Sequence, residues 1–334
     1  MIESDDEQSL RIMRTEKEIA PWMTDSTKSI RSSKMRLHNE IIEFYDFVKP
    51  KMEDFDLRIA TYKKIKHIFE SRIPNSCLMA FGSFASKLYL PQSDIDLVLL
   101  SPNYDQQALM KKAKKVIYSN PEVFCNIAVI TTAKVPLIKC VDIETGIDID
   151  ISFNETSGVL AIKEYQNAFR SHPELKYIMM LFKLFLRQRH FHNSFSGGIS
   201  SFLLFCMVLA FLREYKKEHI TRFGVKSLNQ ISLGEYTLEF MNFYGCKFDC
   251  DRNQIFLSDG GRVSGKTTPS KDFSLISPYN EHEDIGAKAF RCREIFAVFR
   301  YFFRLMSHIA IPEKQSVLKH LINPLGANFV DYLN

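Results

Sequence analysis

The sequence contains 334 residues, of which 46% are hydrophobic and 25% are charged. This is an ordinary globular composition, and the length allows a substantial core and favours about two domains. The formal net charge of +5 permits an anionic partner, but it is too small to indicate nucleic-acid binding by itself.

The cysteines and the apolar runs indicate the class of protein. Seven cysteines occur without a CxxC pair, and the nearest two, Cys246 and Cys250, lack His or Cys neighbours at zinc-site spacing. We interpret them as reduced thiols of an intracellular protein. The longest apolar stretch, residues 199–212, is too short and too interrupted by Ser to span a membrane, and the acidic first residues do not resemble a signal peptide. We therefore expect a soluble protein with no membrane partner.

The N-terminal part of the chain predicts an extension followed by two helices. Residues 1–35 mix charges with Ser and Thr without a sustained period, so most of them are expected to be flexible, although Pro21 and Trp22 could dock on the body. Apolar residues then recur at helical spacing over residues 37–48 and 53–70.

The next part predicts a small sheet flanked by helices. Five short apolar segments read as strands, at residues 77–81, 95–100, 124–130, 135–143 and 147–153. A helix with a basic face is predicted over residues 107–118 between them. After residue 158 the pattern changes to long helices, at residues 160–170, 174–191, 198–217, 235–244 and 286–308. A polar, Gly-rich stretch over residues 249–278 is predicted to hold a hairpin.

Acidic residues gather on two of the predicted strands. Asp94 and Asp96 head the run IDLVLL, and Asp148 and Asp150 lie in GIDIDISFN; residues two apart on a strand project to the same side. Carboxylates so close together need a counter-charge. Mg²⁺ suits a few oxygen ligands and a substrate phosphate, and two ions about 3.5–4 Å apart would assist a phosphoryl displacement. Asp150 is the favoured third ligand, while Asp148 can be read as a solvated strand residue.

A Gly-Ser pair precedes the first two aspartates. Gly82 permits a tight turn, and the backbone N–H groups with the Ser83 hydroxyl can hold a triphosphate. Asp94 and Asp96 would then hold the metals that bind the same phosphates. The combined pattern predicts a nucleotidyltransferase site.

These residues resemble a known family. GSFASKLYLPQSDIDLVL resembles the signature of the DNA polymerase β-like nucleotidyltransferases, and within them the noncanonical poly(A) polymerases, most closely the type that serves as catalytic subunit of the nuclear TRAMP polyadenylation complex. Further matching segments follow in family order: PLIKCVDIETGIDIDISFN, LFKLFLRQRHFHNSFSGGISSFLL and SPYNEHEDIGAKAF. The resemblance implies an α+β fold, with a polymerase β-like nucleotidyltransferase domain, a helical central domain and an active-site cleft between them.

The resemblance also implies a domain plan. After the N-terminal extension of residues 1–35, a helix at residues 36–56 would belong to the central domain. The catalytic domain, a small mixed sheet with flanking helices, would span residues 57–158. The helical central domain, associated with poly(A) polymerases, would span residues 159–310 and be followed by a C-terminal segment, residues 311–334.

Roles for individual residues follow from the same resemblance. It assigns Gly82 and Ser83 to the triphosphate, and Asp94, Asp96 and Asp150 to catalysis and the metals. Asp150 rather than Asp148 fits because the third aspartate of the family directly precedes a hydrophobic-Ser-Phe sequence.

A second set of nucleotide-binding residues is implied in the helical part. Lys183 interrupts an apolar helix, where a charge is costly unless it meets a partner or reaches the surface; the family places a phosphate-contacting Lys here, and Arg187 lies one turn later. Ser201 would hold the triphosphate and Phe202 would stack on the base. The family usually has Tyr at the latter position, and Phe202 can also be read as a core residue.

The family's nucleotide recognition motif corresponds to SLISPYNEHEDIGAKAF, with two departures. Ser277 replaces an Asp, and Asp284 replaces an Asn. Uridylyl-adding relatives carry a His where this chain has Glu283. The pattern therefore favours ATP over UTP.

The resemblance thus predicts a template-independent adenylyltransferase that adds AMP from ATP to RNA 3′ ends, with Mg²⁺ as cofactor and Mn²⁺ as a substitute, acting in nuclear RNA surveillance and exosome-mediated decay. The alternatives are a terminal uridylyltransferase and a catalytically inactive scaffold or RNA-binding subunit. No RRM, zinc knuckle or long basic arm is found in the sequence. A zinc-knuckle RNA-binding protein on the central domain and an RNA helicase are the expected partners, and nuclear localisation rests on the family alone.

Overall fold

The structure is a computed structural model that describes residues 20–131, 135–258 and 260–324. The chain divides into two compact units. The sheet unit comprises Lys49–Ser171, and the helical unit comprises Met1–Val48 together with His172–Asn334. The domain plan with boundaries near residues 56 and 158 stays a prediction. Within the described residues, no helix has both the length and the apolar character needed to cross a membrane.

The helical unit begins with a short helix α1 (Asp25–Lys28) and a long helix α2 (Ser33–Val48). Leu37, Ile41, Phe44 and Val48 form the buried face of α2 at helical spacing. Residues 1–19 of the predicted extension lie outside the described residues. Trp22, in contrast, is buried, and its ring meets the Phe44 ring edge-on at 5.3 Å.

The sheet unit contains a five-stranded sheet with helices between its strands. Its elements in chain order are α3 (Met52–Arg72), β1 (Cys77–Ala80), α4 (Gly82–Ser86), β2 (Ile95–Leu100), α5 (Gln106–Tyr118), β3 (Phe124–Ile130), β4 (Leu137–Asp142), β5 (Asp148–Phe153) and α6 (Ser157–Ser171). The strand order is β1-β2-β5-β4-β3, in which β2 and β5 run parallel and the other neighbours run antiparallel. The predicted small mixed sheet with flanking helices is therefore confirmed.

The sheet buries one face against α3 and α5. Ile95 and Leu97 of β2 and Ile149 and Ile151 of β5 are fully buried in the same core as residues of both helices. Side chains alternate between the faces of a sheet. The residues between these apolar positions, Asp96 and Asp150, therefore project from the opposite face.

The rest of the helical unit consists of long helices and a small three-stranded sheet. Its elements are α7 (Leu175–Gln188), α8 (Ser201–Phe223), α9 (Leu233–Asn242), β6 (Asn253–Phe256), β7 (Arg262–Gly265), β8 (Leu275–Ile276) and α10 (Cys292–His308). Strands β6 and β7 pair antiparallel as the predicted hairpin, and β8 adds parallel to β6.

The last helix starts later than the sequence predicts. The expected helix over residues 286–308 begins only at Cys292, and a 3-10 turn occupies Gly286–Lys288. A Cβ atom on Gly286 would lie 2.6 Å from the backbone N of Leu275. Residue 286 is therefore packed against β8, and its segment follows that strand instead of extending α10.

Two charged side chains of α2 hold the C-terminal segment of the helical unit. Arg36 Nη2 donates to the carbonyl of Pro312 at 3.1 Å, and the Glu40 carboxylate accepts hydrogen bonds from residues 316–318. Val317, Leu318, Leu321 and Ile322 of this segment are buried. The described part of the C-terminal segment is thus packed into the unit.

Candidate active site

The three predicted metal ligands converge in the sheet unit. The register of the parallel pair β2 and β5 places Asp96 directly beside Asp150, and Asp94 lies two residues before Asp96 at the start of β2. One carboxylate oxygen from each of the three lies within 4.8 Å of the others. Asp148 is exposed and outside this group. We call Asp94, Asp96 and Asp150 the acidic triad, and its geometry is compatible with binding a divalent metal ion.

Gly82 brings the Gly-Ser turn against the triad. Its φ angle is +65°, and a Cβ atom at this position would lie 2.2 Å from Asp96 Oδ2. The backbone N of Phe81 also donates to the carbonyl of Asp96 at 3.0 Å. Ser83 follows as the second residue of α4, and its carbonyl accepts from the backbone N of Leu88 at 3.0 Å. Only glycine allows the turn to lie this close to the carboxylate.

Lys139 supplies a positive charge to the triad. The antiparallel register of β4 and β5 places it opposite Asp150, and its Nζ forms an ion pair with Asp150 Oδ2. The Lys139 side chain is 43% exposed, whereas that of Asp150 is 17% exposed. This residue was not predicted from the sequence, because the alternating strand segment VPLIKCVDI contains a lysine but does not indicate which residue lies opposite it on the neighbouring strand.

Burial and neighbouring charges together shift the pKa values at this site. Burial raises the pKa of Asp150, and repulsion from Asp94 adds to that shift, although the hydrogen bond from Lys139 opposes it. Burial would lower the pKa of Lys139, but its hydrogen bond with Asp150 and the charges of Asp94 and Asp96 outweigh burial and raise it. Both partners thus hold protons more tightly than usual. A site with this preference for positive charge fits a divalent cation.

In the helical unit, Lys183 and Arg187 belong to a local group of basic residues. Both lie on α7, where most neighbours are buried, and both are half-buried. Burial lowers the pKa of His192, and the positive charges of Arg187, His190 and Lys183 lower it further. This shift indicates that all three basic side chains lie near His192. Such a group suits an anionic ligand.

The start of α8 follows the predicted pattern. Ser200 is the N-cap, and its hydroxyl accepts from the backbone N of Leu203 at 3.2 Å. Ser201 begins the helix, and the next residue, Phe202, is half-buried. The Phe202 ring is stacked against the Tyr279 ring, with centroids 6.2 Å apart and an angle of 16° between the planes. Tyr279 was missed by the sequence analysis, although it directly follows Pro278 in the predicted recognition motif.

Asp284 organises the backbone of that motif. Its Oδ1 accepts from three backbone N–H groups, those of Leu275 at 3.0 Å, Gly286 at 2.9 Å and Ala287 at 3.2 Å. The carboxylate therefore ties β8 to the following turn. Its predicted contact with a nucleotide stays a prediction.

A second phosphate-binding pattern in the sequence has a different explanation. Residues 260–267 match the spacing Gly-x₄-Gly-Lys-Thr, which in a phosphate-binding loop joins a strand to a helix. Here the segment contains β7 of the hairpin. Lys266 Nζ donates to three backbone carbonyls, those of Cys250 at 2.8 Å, Ser270 at 3.0 Å and Asp272 at 2.5 Å. The lysine stabilises the loop after the hairpin, and the match is coincidental.

Comparisons with known proteins show that the chain is similar to poly(A) polymerases. A family model described as "Poly(A) RNA polymerase, mitochondrial-like, central palm domain" matches residues 37–163. Poly(A) RNA polymerase cid14 of Schizosaccharomyces pombe is 29% identical over 81% of this chain and 40% of its own length. A solved structure of the polymerase core of TRAMP, an RNA surveillance complex, matches with a TM-score of 0.76 and 28% identity, covering 91% of this chain and 99% of that chain. Over most of its length the chain is therefore similar to noncanonical poly(A) polymerases.

The structural match to the polymerase core of TRAMP shows that the chain has a polymerase β-like nucleotidyltransferase fold. The similar proteins also include Trf4-2 of Drosophila melanogaster, which is named as inactive; it is 28% identical over 88% of this chain and 73% of its own length. This chain spans less than half the length of curated relatives such as cid14. The activity of this chain therefore depends on the residues of its own site.

Proposed function

We propose that the protein is a template-independent RNA adenylyltransferase that transfers AMP from ATP to an RNA 3′-hydroxyl. The observation that carries the proposal is the convergence of Asp94, Asp96 and Asp150, whose oxygens lie within 4.8 Å of one another, beside the Gly82 turn. A protein that only binds RNA has no use for carboxylates held this close together, because their mutual repulsion costs free energy.

In this proposal the triad holds Mg²⁺, or Mn²⁺ as a substitute. Bound divalent ions would neutralise the carboxylates and the phosphates and make the RNA hydroxyl a better nucleophile. The 3′-oxygen forms a bond to the α-phosphorus, the bond from that phosphorus to the bridging oxygen breaks, and pyrophosphate leaves. Gly82 and Ser83 would hold the triphosphate. Asp150, whose pKa is raised mainly by burial, is suited to receive the proton of the hydroxyl.

The helical unit would supply nucleotide contacts. Lys183 and Arg187 would neutralise phosphate oxygens, and Ser201 would donate a hydrogen bond to them. Phe202 would stack on the base, with Tyr279 supporting it from behind. Asp284 would act on the base through the turn whose backbone it fixes.

RNA extension tests the proposal. Purified protein, ATP, Mg²⁺ and a 3′-hydroxyl RNA should give lengthened RNA, and Asp96→Asn should lose at least about 10²–10³-fold in rate because it removes a charge that stabilises the transition state. Asp148→Asn is the matched control, since Asp148 is exposed and outside the triad. Full activity of Asp96→Asn would refute the proposed site, and absence of extension by the wild type would favour an inactive scaffold.

The choice of nucleotide needs a separate assay. Glu283, at the position where uridylyl-adding relatives carry His, supports ATP. Extension with each of the four nucleotides should give the highest kcat/KM for ATP. A strong preference for UTP would assign the protein to the terminal uridylyltransferases instead.

The likeness to the polymerase core of TRAMP supports a role in RNA surveillance. We propose nuclear localisation, a zinc-knuckle RNA-binding partner on the helical unit and an RNA helicase in the larger assembly. Because the chain's net charge is only +5, it should extend RNA with low processivity alone. Adding such a partner should lengthen the products, and long tails from the isolated chain at low concentration would contradict this part of the proposal.

A further inference from the structure

The three triad residues are held by the backbone in different ways. Asp96 and Asp150 lie within β2 and β5 and are paired with each other across the ladder. Asp150 is also paired with Lys139 on its other side. Asp94 precedes β2, whose paired residues begin at Ile95. Its position therefore depends on the turn before it.

That turn, Leu90–Ser93, is closed by its own hydrogen bonds. The backbone N of Ser93 donates to the carbonyl of Leu90 at 2.8 Å. The Ser93 hydroxyl in turn accepts from the backbone N of Leu90 at 3.0 Å. These bonds fix the shape of the turn, but not its place against the rest of the unit.

Arg58 of α3 anchors the turn. Its Nη1 donates to the carbonyl of Ser93 at 2.7 Å, and its Nη2 donates to the carbonyl of Pro91 at 2.7 Å. Its Nε donates to the Asp54 carboxylate at 3.1 Å, and its guanidinium lies 4.6 Å from the centroid of the Tyr89 ring. The Arg58 side chain is only 3% exposed, so these contacts are shielded from water.

The bond to Ser93 acts directly on Asp94. The carbonyl of residue 93 and the N and Cα of residue 94 lie in one peptide plane, because the bond between them does not rotate freely. A donor that fixes this carbonyl therefore fixes the orientation of the plane from which the Asp94 side chain projects. A planar guanidinium can hold two carbonyls at once, whereas a lysine ammonium cannot reproduce that geometry.

We infer that Arg58 is a positioning residue for Asp94, which it aims into the triad through the Leu90–Ser93 turn. This inference rests on the proposed function, since it assumes that the triad binds a divalent ion. It gives Arg58, a buried residue of α3, a role in metal binding in addition to one in stability.

The test measures Mn²⁺ binding by electron paramagnetic resonance, together with kcat and KM for ATP, in Arg58→Lys and Arg58→Met. We expect Mn²⁺ affinity and kcat to fall about 10–100-fold, as they do when the supporting partners of metal ligands are removed. KM for ATP should change little. Arg58→Lys should retain more affinity than Arg58→Met, since it keeps one donor. Arg72→Lys, on an exposed position of the same helix, is the control and should match the wild type.

Folding is checked by thermal unfolding, and Ser93→Ala provides a milder variant. It removes only the hydroxyl that accepts from Leu90, and it should weaken Mn²⁺ binding by less than Arg58→Met. If the Arg58 variants fail to fold, the Mn²⁺ affinity of Ser93→Ala decides: weaker binding supports the inference, and wild-type binding overturns it. Wild-type Mn²⁺ affinity in folded Arg58→Lys and Arg58→Met would overturn the inference and leave the proposed function standing. A wild-type protein that binds no Mn²⁺ and extends no RNA would instead overturn the proposed function.

Discussion

In the helical unit the buried carboxylate of Glu40 accepts hydrogen bonds from Ser316 Oγ at 2.6 Å and from the backbone N atoms of Val317 at 2.8 Å and Leu318 at 2.9 Å. In the sheet unit, the three carboxylates of the acidic triad crowd together with Lys139 as an ion-pair partner of Asp150. Glu40 has acceptors that are filled by the protein itself, and these hydrogen bonds hold residues 316–318 against α2. The triad keeps an excess of negative charge, and this difference marks it as a place for a ligand.

A large loss of activity is expected where a substitution adds contact with the triad to backbone strain. Gly82→Ala would force a methyl group against Asp96 in a left-handed backbone conformation. We expect extension activity to fall about 100-fold, because misplacing a reacting group by about 1 Å has that effect. The measurement is kcat/KM in the extension assay, with Mn²⁺ affinity beside it.

Gly146→Ala is the matched control for that prediction. Gly146 lies between β4 and β5 with φ of +69°, and a Cβ atom there would meet nothing within 4 Å. Both variants should lose about 1–2 kcal/mol of stability from left-handed strain, but Gly146→Ala should keep its activity. Equal loss of activity in both variants would show that general destabilisation, not contact with Asp96, is responsible.

The next prediction concerns the sign of a stability change. Glu40→Gln replaces an acceptor oxygen with an amide group that faces backbone and hydroxyl donors, and it should destabilise the protein by about 1–3 kcal/mol. Asp94→Asn relieves repulsion within the triad, so without metal it should be neutral or stabilise by about 0.5–1 kcal/mol. Urea unfolding in EDTA compares the two. If Glu40→Gln and Asp94→Asn destabilise the protein equally, the proposed difference between these two carboxylate sites is wrong.

The pH dependence of stability provides a second test of the difference between Glu40 and the acidic triad. Burial raises the pKa of Glu40 above its usual 4.5, although its hydrogen bonds with Ser316, Val317 and Leu318 oppose the shift. The folded state then binds the proton more tightly than the unfolded state does. The contribution of the Glu40 carboxyl group to the stability of the folded state is complete below pH 4.5. It is lost as the pH rises through the raised pKa that this group has in the folded state. The stability advantage of the wild type over Glu40→Gln should therefore shrink with rising pH; parallel pH profiles would contradict this.

The sequence predicted the sheet and the triad because both depend on local patterns. Short apolar runs mark β2 and β5, and Asp96 and Asp150 lie near the start of each. Parallel pairing of those strands then brings the two side chains together. The motif around Gly82 indicated the same site, and the structure supplies the reason in the contact between Gly82 and Asp96.

Residues that depend on long-range register were not predictable in the same way. Lys139 faces Asp150 only because β4 and β5 pair in one particular register. Arg58 reads as an ordinary helix residue until the Leu90–Ser93 turn is folded against it. The start of α10 was misplaced because the packing of Gly286 against β8 overrides a helical pattern that continues through residue 286.

A smaller effect is expected from the aromatic stack of the helical unit. Phe202→Leu removes a ring that is stacked on Tyr279 and should raise KM for ATP about 2–10-fold, since such aromatic contacts contribute about 0.5–1.5 kcal/mol. Phe202→Tyr restores the aromatic ring and should keep KM near that of the wild type. An unchanged KM in Phe202→Leu would show that this ring serves the core rather than the nucleotide.

The smallest expected effect concerns the counter-charge of the triad. Lys139→Met removes the ammonium group that pairs with Asp150, and without metal it should cost about 0.5–1 kcal/mol, because this lysine is partly exposed and screened by water. Mg²⁺ should then raise the stability of the variant by more than it raises that of the wild type, since the cation replaces the missing charge. Lys63→Met, an exposed change on α3, controls for net charge. If Mg²⁺ stabilises all three proteins equally, the excess negative charge does not lie at the triad.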